Sequence, residues 1–274
     1  MNWRRTIQAI TSGVVASSLT IFGGCASYVT PGRPADFRAL GITPEGVRVA
    51  TDPSIEAKLA RRPTAAFPTA VAAVRVQGQG YRSHRQDGFG EGRFTVLTAR
   101  DAESDKTMKK LASLPMQRGL APVNRLIVPA AIQSERDLRE VAATLQADIL
   151  LLYTFDTRFE TETAVPIIGP ITLGLFPTKV SKCRSTASAA FLDTRTGYIY
   201  GLAEATESRS RLSNSWNTTD ALDNAREDSE RAAFDKLADE LIATWNGIVE
   251  TYGPGGESGQ GTPSPGNQPA GIGQ

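Results

Sequence analysis

His84 is the single histidine of the chain, so a Ser-His-Asp or Cys-His nucleophile would have to take its base from that position. It lies in SHRQDGFGEG (83–92), a polar, glycine-rich stretch without an apolar frame to hold a base at fixed distance. No catalytic role is expected of it. GFGEGR (88–93) lacks the GK[ST] ending of a phosphate-binding loop and does not lead into a helical pattern, so it reads as a hairpin loop. The chain has two cysteines, Cys25 and Cys183, which is too few for a cysteine-built zinc site. Cys183 reads as a small buried apolar group. Acid pairs such as Glu227-Asp228 and Asp239-Glu240 are interleaved with Arg226, Arg231 and Lys236, the pattern of a solvated helix face. Nothing there marks a carboxylate dyad or a calcium loop. The expectation is no catalytic residue, no metal ligand set and no cofactor.

The elements that would position these residues are legible from periodicity. TAVAAVRVQGQGY (69–81) and RFTVLTAR (93–100) read as strands rich in β-branched residues. Met108, Leu111 and Ala112 share a helical face, and Pro115 limits that helix. NRLIVPAAI (124–132) reads as a short strand. Ser134 and Asp137 resemble a capping box, and Leu138, Val141, Ala142 and Leu145 recur at helical spacing. ADILLLYTF (147–155) is continuously apolar, as a strand covered on both faces requires. Strand, helix and strand here make a βαβ unit with parallel strands.

Beyond it, Tyr153, Phe155 and Phe159 alternate with Thr154, Asp156 and Arg158. Glu160 and Glu162 continue the wet face of that strand. KCRSTASAAFLDT (182–194) and GYIYGLAEATESRS (197–210) flank Arg195-Thr196-Gly197, a hairpin whose glycine supplies a positive φ. A long helix over about 219–249 carries an apolar stripe: Leu222, Ala225, Phe234, Leu237, Leu241, Trp245 and Ile248. Gly253-Pro254 ends it. The fold class is α/β (α+β): a mixed β-sheet with packed helices, one βαβ unit, a β-hairpin and a long C-terminal helix.

AVPIIGPITLGLFPTKV (164–180) is the most apolar stretch beyond the first 25 residues. Pro166, Pro170 and Pro177 break a helix, and the run is shorter than a membrane-spanning one. A membrane β-hairpin wants about 9–11 alternating residues per strand, which this segment lacks. Two readings stay open: a loop folded back over the core or a sheet edge, and an exposed docking surface. In the second, Ile167, Ile168, Ile171, Leu173, Leu175 and Phe176 are the candidate partner-binding residues.

The start of the chain speaks of an address. MNWRR is a short basic region, and TIQAITSGVVASSLTIF is uncharged and apolar to small. Phe22-Gly23-Gly24-Cys25 then resembles the bacterial lipobox, in which small residues admit a peptidase and the cysteine carries the lipid. Each buried methylene contributes about 0.8 kcal/mol, so several acyl chains hold a protein firmly on a bilayer. Residues 1–24 contain Arg4 and Arg5 and no acid, so their removal takes the formal charge from +1 to −1. No polyanion-binding surface, and hence no nucleic-acid partner, is expected. The expected organisation is a lipoprotein signal peptide (1–24), a tether (25–68), a periplasmic α/β domain (69–250) and a disordered Gly/Pro/Ser-rich tail (251–274). Ala26 after the cysteine, by the same resemblance, implies the periplasmic face of the outer membrane.

The order of elements over about 125–250 resembles two bacterial envelope lipoprotein families. These are the curli-secretion lipoproteins (CsgG-like) and the penicillin-binding-protein activators (LpoB-like). Leu145-Gln146-Ala147-Asp148 matches their "lgaD" phrase leading into a core strand. Asp193-Thr194-Arg195-Thr196-Gly197 matches their "D-x-x-T-G" turn. The resemblance implies a compact α/β domain on a lipid tether that binds or assembles rather than catalyses. An envelope protein or polymer is its implied partner, and oligomerisation is open. An alternative is a subunit of an oligomeric secretion assembly. Neither a channel nor synthase activation carries over, because no residue that would perform either can be matched.

Overall fold

The computed structural model describes residues 34–36, 52–83, 87–163, 179–213 and 218–256. The elements are α1 (Asp52–Leu59), β1 (Thr69–Gly78), β2 (Phe94–Leu97), α2 (Asp105–Ala112) and β3 (Gln117–Pro122), followed by α3 (Glu135–Thr144). Three long antiparallel strands come next, β4 (Ile149–Thr163), β5 (Lys179–Asp193) and β6 (Ile199–Ser213), and then α4 (Thr218–Tyr252). The sheet has six strands in the order β2-β1-β4-β5-β6, with β3 lying beside the first half of β1 on the β2 side. β1 is parallel to both β3 and β4. β2 pairs with β1, β5 with β4 and β6 with β5, each antiparallel. The mixed α+β class expected from the sequence is what the chain adopts.

The two faces of the sheet bury two different sets of side chains. On one face Ile149, Leu151, Tyr153 and Phe155 of β4 meet Phe234, Leu237, Leu241 and Trp245 of α4, with Met108 and Leu111 of α2 alongside. On the other face Leu150 and Leu152 meet Leu138, Val141 and Ala142 of α3. Because successive side chains of a strand point to opposite faces, a strand covered by helices on both sides has to be continuously apolar. Ile149 to Phe155 is that run, and each of its members except Thr154 is an apolar buried residue.

Some expectations change. NRLIVPAAI is not a strand: Arg125–Ile127 forms one turn of 3₁₀ helix, and Asn124 caps it by accepting from the Leu126 N–H at 3.0 Å. The strand that opens the βαβ unit lies upstream, at Gln117–Pro122, which is half-exposed and too polar for periodicity to reveal. The unit survives in shifted form, β3-α3-β4, with β1 inserted between its two parallel strands. Ala112 is exposed, while Thr107 joins Met108 and Leu111 on the buried face of α2.

The segment before β1 also carries more structure than a tether. Thr64 N donates to Asp193 at 2.6 Å, Ala65 N donates to the Tyr200 hydroxyl at 3.0 Å, and Phe67 packs 6.0 Å from Trp245. Further upstream Ala35 is buried, its N–H donating to Thr154 Oγ1 at 3.0 Å, and Pro34 bridges Gln77. Isolated Thr and Ala residues give no periodic signal, so this docking was invisible in the sequence.

Candidate functional site

Two constellations of polar side chains sit inside the fold. The first joins β1, the β2–α2 connection and α4. Arg75 Nη1 donates to Asp101 Oδ1 at 2.7 Å, and its Nη2 donates to Glu230 Oε2 at 3.2 Å. Arg226 Nη1 donates to the same Glu230 oxygen at 2.7 Å, and Arg226 Nε to Asp223 Oδ1 at 3.2 Å. Glu103 accepts from the Tyr153 hydroxyl at 3.0 Å and stands 3.7 Å from Arg75. Side-chain exposure is 1% or less for Arg75, Arg226, Glu103 and Glu230, so solvent does not screen these charges. Arg75 also lies 4.5 Å from the centre of the Phe155 ring, a cation–π contact.

The electrostatics follow from burial and pairing. Burial opposes charge on Arg75, but Glu103, Glu230 and Asp101 outweigh it and hold the guanidinium charged. Burial pushes the Asp101 carboxyl up, and Arg75 and Arg226 more than reverse that. At Glu103 burial wins, and its carboxyl is raised despite Arg75. Among the described residues Arg75 Nε, Glu103 Oε2 and the Tyr81 hydroxyl have no hydrogen-bond partner. The charge pattern puts Arg226 on a solvated helix face; the structure corrects this. Arg226 and Glu230 point inward because α4 lies over β5 and β6 and reaches β4, where Glu230 Oε1 accepts from Thr157 Oγ1 at 3.0 Å.

The second constellation surrounds the β5–β6 turn. Asp193 Oδ1 accepts from the backbone N–H of Arg195 at 2.9 Å and of Thr196 at 3.0 Å. Its Oδ2 accepts from the Tyr200 hydroxyl at 2.8 Å and from Thr64 N. Gly197 takes φ +68°, as a tight turn of this kind needs. Arg139 of α3 donates to the carbonyls of Thr194 at 3.2 Å and Arg195 at 3.1 Å, and Arg61 to that of Gly197 at 3.2 Å. Asp148 pairs with Arg118 at 2.8 Å and Arg195 at 3.1 Å. The "D-x-x-T-G" and "L-Q-A-D" phrases are therefore two sides of one structural clasp. Gln146, at φ +54°, ends α3 and turns the chain into β4.

Both constellations tie distant elements of the fold together. Asp101, Glu230, Asp148 and Asp193 are held by cations, hydroxyls or backbone N–H groups that serve the fold, and Glu103 by the Tyr153 hydroxyl. Cys183 is 1% exposed, and burial pushes its thiol up to about 12, the opposite of an activated nucleophile. The GFGEG loop is pressed against its neighbours: a Cβ at Gly92 would lie 2.1 Å from the Ile132 carbonyl oxygen and one at Gly88 2.5 Å from Thr95 Oγ1. Its glycines serve close packing, not a phosphate. A gap lined by Val71, Leu111, Leu120, Leu151, Phe191 and Trp245 has room for little more than one water-sized guest, far less than a small-molecule site needs. Among the described residues no group of His, Cys, Asp and Glu is arranged to hold a metal ion. His84, Cys25 and the candidate docking residues Ile167, Ile168, Ile171, Leu173, Leu175 and Phe176 lie outside the described residues.

What remains as a candidate site is a surface. β4 and β5 are paired without interruption from Ile149↔Asp193 to Thr163↔Lys179. The apolar run 164–178 thus leaves and re-enters the sheet at two adjacent strand ends. α4 covers one face of this ribbon. The other face, beyond the reach of α3, is polar: Arg158 is 79% exposed, and Ser188 donates to Glu204 across the β5–β6 pair at 2.9 Å. Among the described residues no helix is long and apolar enough to cross a membrane.

No protein-family model and no curated protein matches the chain. Solved structures show partial likenesses. A Xanthomonas campestris protein of the DUF330 family is 13% identical and matches over 70% of this chain and 92% of its own, with a TM-score of 0.34. A Caulobacter crescentus protein provisionally named a lipoprotein is 13% identical over 38% of this chain and 68% of its own, at 0.23. A Helicobacter pylori protein, provisionally named a homologue of the neuraminyllactose-binding hemagglutinin, is 8% identical over 69% of this chain and 94% of its own, at 0.34. At scores this low the chains superpose only in part.

Proposed function

We propose that this chain is a lipid-anchored envelope protein, fixed at Cys25 to the periplasmic face of the outer membrane. It works by contact, as a non-catalytic binding or assembly module. The observation that carries the contact reading is the unbroken β4–β5 pairing out to Thr163↔Lys179. The run with Ile167, Ile168, Ile171, Leu173, Leu175 and Phe176 thus joins the end of a fifteen-residue strand pair. An envelope protein or polymer with an apolar face is the partner this segment fits.

The anchoring reading rests on the sequence around Cys25, and the fold adds a distance to it. Ala35 is hydrogen-bonded to Thr154 on the sheet face opposite α4. Ten residues separate Cys25 from Ala35, and an extended chain spans at most about 3.6 Å per residue. The lipid and Thr154 are therefore within about 36 Å of each other. Such a short leash keeps the domain against the bilayer and turns that sheet face toward it.

The test is a pair of measurements on the protein made in its own cells. Intact mass of the mature chain reads whether it begins at Cys25 and carries acyl groups. Replacing Ile167, Leu173 and Leu175 by Ser, followed by crosslinking in cells, reads partner capture. Loss of the crosslinked species at an unchanged melting temperature supports docking. A large fall in melting temperature places the segment in the core, and a mature chain without acyl groups removes the anchor.

A further inference from the structure

We infer that β6 pairs with the β6 of a second copy of this chain, joining two sheets into one across a two-fold axis at Ser208. β6 runs fifteen residues, Ile199–Ser213, and pairs with β5 along one side from Lys179↔Ser213 to Leu192↔Ile199. Among the described residues no strand lies on its other side. On the side away from β5 the backbone of β6 therefore lacks a strand partner among the described residues over a length of roughly 50 Å, with Ser229 Oγ donating to the Glu207 carbonyl and Arg209 Nη1 to that of Ser208. Proteins that stay monomeric blunt such an edge with proline, lysine or short length. β6 contains neither proline nor lysine and it is not short; its charges are Glu204, Glu207, Arg209 and Arg211, and its one register irregularity lies at the Ile199–Gly201 end, away from Ser208. The opposite edge of the sheet is different: β2 has four residues and its Val96 is already bridged by Phe89.

Charge selects the occupant and the register. Buried Ala203 and Ala205 point toward α4, and Glu207 and Arg209 follow them at the same parity, joined by a contact of 3.2 Å within the chain. A two-fold axis normal to the sheet keeps the α4 faces of both copies on one side and pairs residues of equal parity. Centred on Ser208, it sets Glu207 opposite Arg209 of the second copy, and Arg209 opposite its Glu207. Directly opposed side chains of an antiparallel pair have Cβ atoms about 4.5–5.5 Å apart, within reach of an ion pair. On the other face Thr206 meets Ser210 and Ser208 meets itself. Moving the axis to Glu207 or to Arg209 sets like charges against each other, which destabilises a strand pair. The strand is thus self-complementary in one register, which an unrelated extended peptide would match only by coincidence. The inference needs neither the lipid anchor nor the 164–178 segment.

The experiment uses the full chain in its own membranes, with mild oxidation and a non-reducing gel. Ser208→Cys brings two thiols together on the axis, whereas Leu202→Cys, 60% exposed, lies far from its own copy in this register. A disulfide-linked dimer with Ser208→Cys, absent from Leu202→Cys and from the parent chain, is the expected result. Glu207→Arg alone and Arg209→Glu alone should each weaken the dimer at least tenfold in sedimentation of the detergent-extracted protein. The double exchange should restore it, at melting temperatures matching the parent. Monomer at every concentration, equal crosslinking at both positions, or failure of the double exchange to restore what the singles remove would each overturn the pairing.

Discussion

Arg75 on β1 and Glu230 on α4, 155 positions apart in the chain, meet at 3.2 Å with each side chain 1% exposed. That contact ties the central strand of the first half to the helix that closes the second. It also exposes the domain to single substitutions. Removing one member of a buried ion pair strands its partner in a medium that cannot solvate it, at a cost of about 3–5 kcal/mol. Glu230→Ala, which leaves both Arg75 and Arg226 short of an anion, should lose about that much in urea unfolding. The exposed pair Arg136–Glu140, at 3.1 Å on α3, is the control: Glu140→Ala should cost less than about 0.5 kcal/mol.

The β5–β6 clasp predicts a pH dependence. Burial pulls the Asp193 carboxyl up, but the N–H groups of Thr196 and Thr64 and the Tyr200 hydroxyl outweigh it and hold it below its ordinary value of 3.8. The unfolded chain then binds the proton more readily than the folded one, so stability falls as pH drops through the range below 3.8. It is fully present above that range. Asp193→Asn should lower stability at pH 7 and flatten this acid limb. Denaturation midpoints between pH 7 and pH 2.5 would show it; an unchanged slope would mean that Asp193 contributes nothing to it.

Gln146 holds a left-handed conformation at φ +54° at the end of α3. That conformation costs a non-glycine residue roughly 1–2 kcal/mol, while glycine brings an entropic penalty of about 0.5–1 kcal/mol. Gln146→Gly should therefore stabilise the domain by about 0.5–1 kcal/mol, read as a rise in melting temperature. Gly197→Ala should do the reverse. At φ +68° it would be strained, and its Cβ would sit 3.2 Å from the Arg61 guanidinium.

Cys183 should be chemically silent in the native state. With its thiol pushed up to about 12 and 1% of its surface exposed, it offers almost no thiolate at neutral pH. Its labelling by a maleimide should proceed at the rate of unfolding and become immediate in denaturant. Fast labelling of the folded chain at Cys183 would contradict its burial.

Long periodic elements were legible without a structure. The stripe of Leu222, Phe234, Leu237, Leu241, Trp245 and Ile248 announced α4, and the apolar run before Phe155 announced a doubly covered strand. Both signals repeat over many residues, so single exceptions do not erase them. β3 was not legible: at the edge of the sheet it is only half-buried, and QRGLAP carries no alternation. The Asp193 clasp was half legible. Its D-x-x-T-G phrase was seen as a turn, but Thr64 and Tyr200, which complete it, were not. The buried charges were misread, because a charged residue on a helix is usually solvated and composition does not say which way it points.

What the linear order of residues determined here is local: where periodicity repeats, where glycine and proline end an element, and where a basic start, an apolar run and Cys25 follow one another. Each depends on neighbours within a few positions, so the chain carries it in plain view. The tertiary structure decided which strands lie side by side, that Arg226 and Glu230 turn inward, and that β6 is the last of the described strands on its side of the sheet. Those outcomes depend on residues from tens to more than a hundred positions away. A charge is buried only when a distant partner arrives to compensate it, and an edge is an edge only once every other strand has found its place.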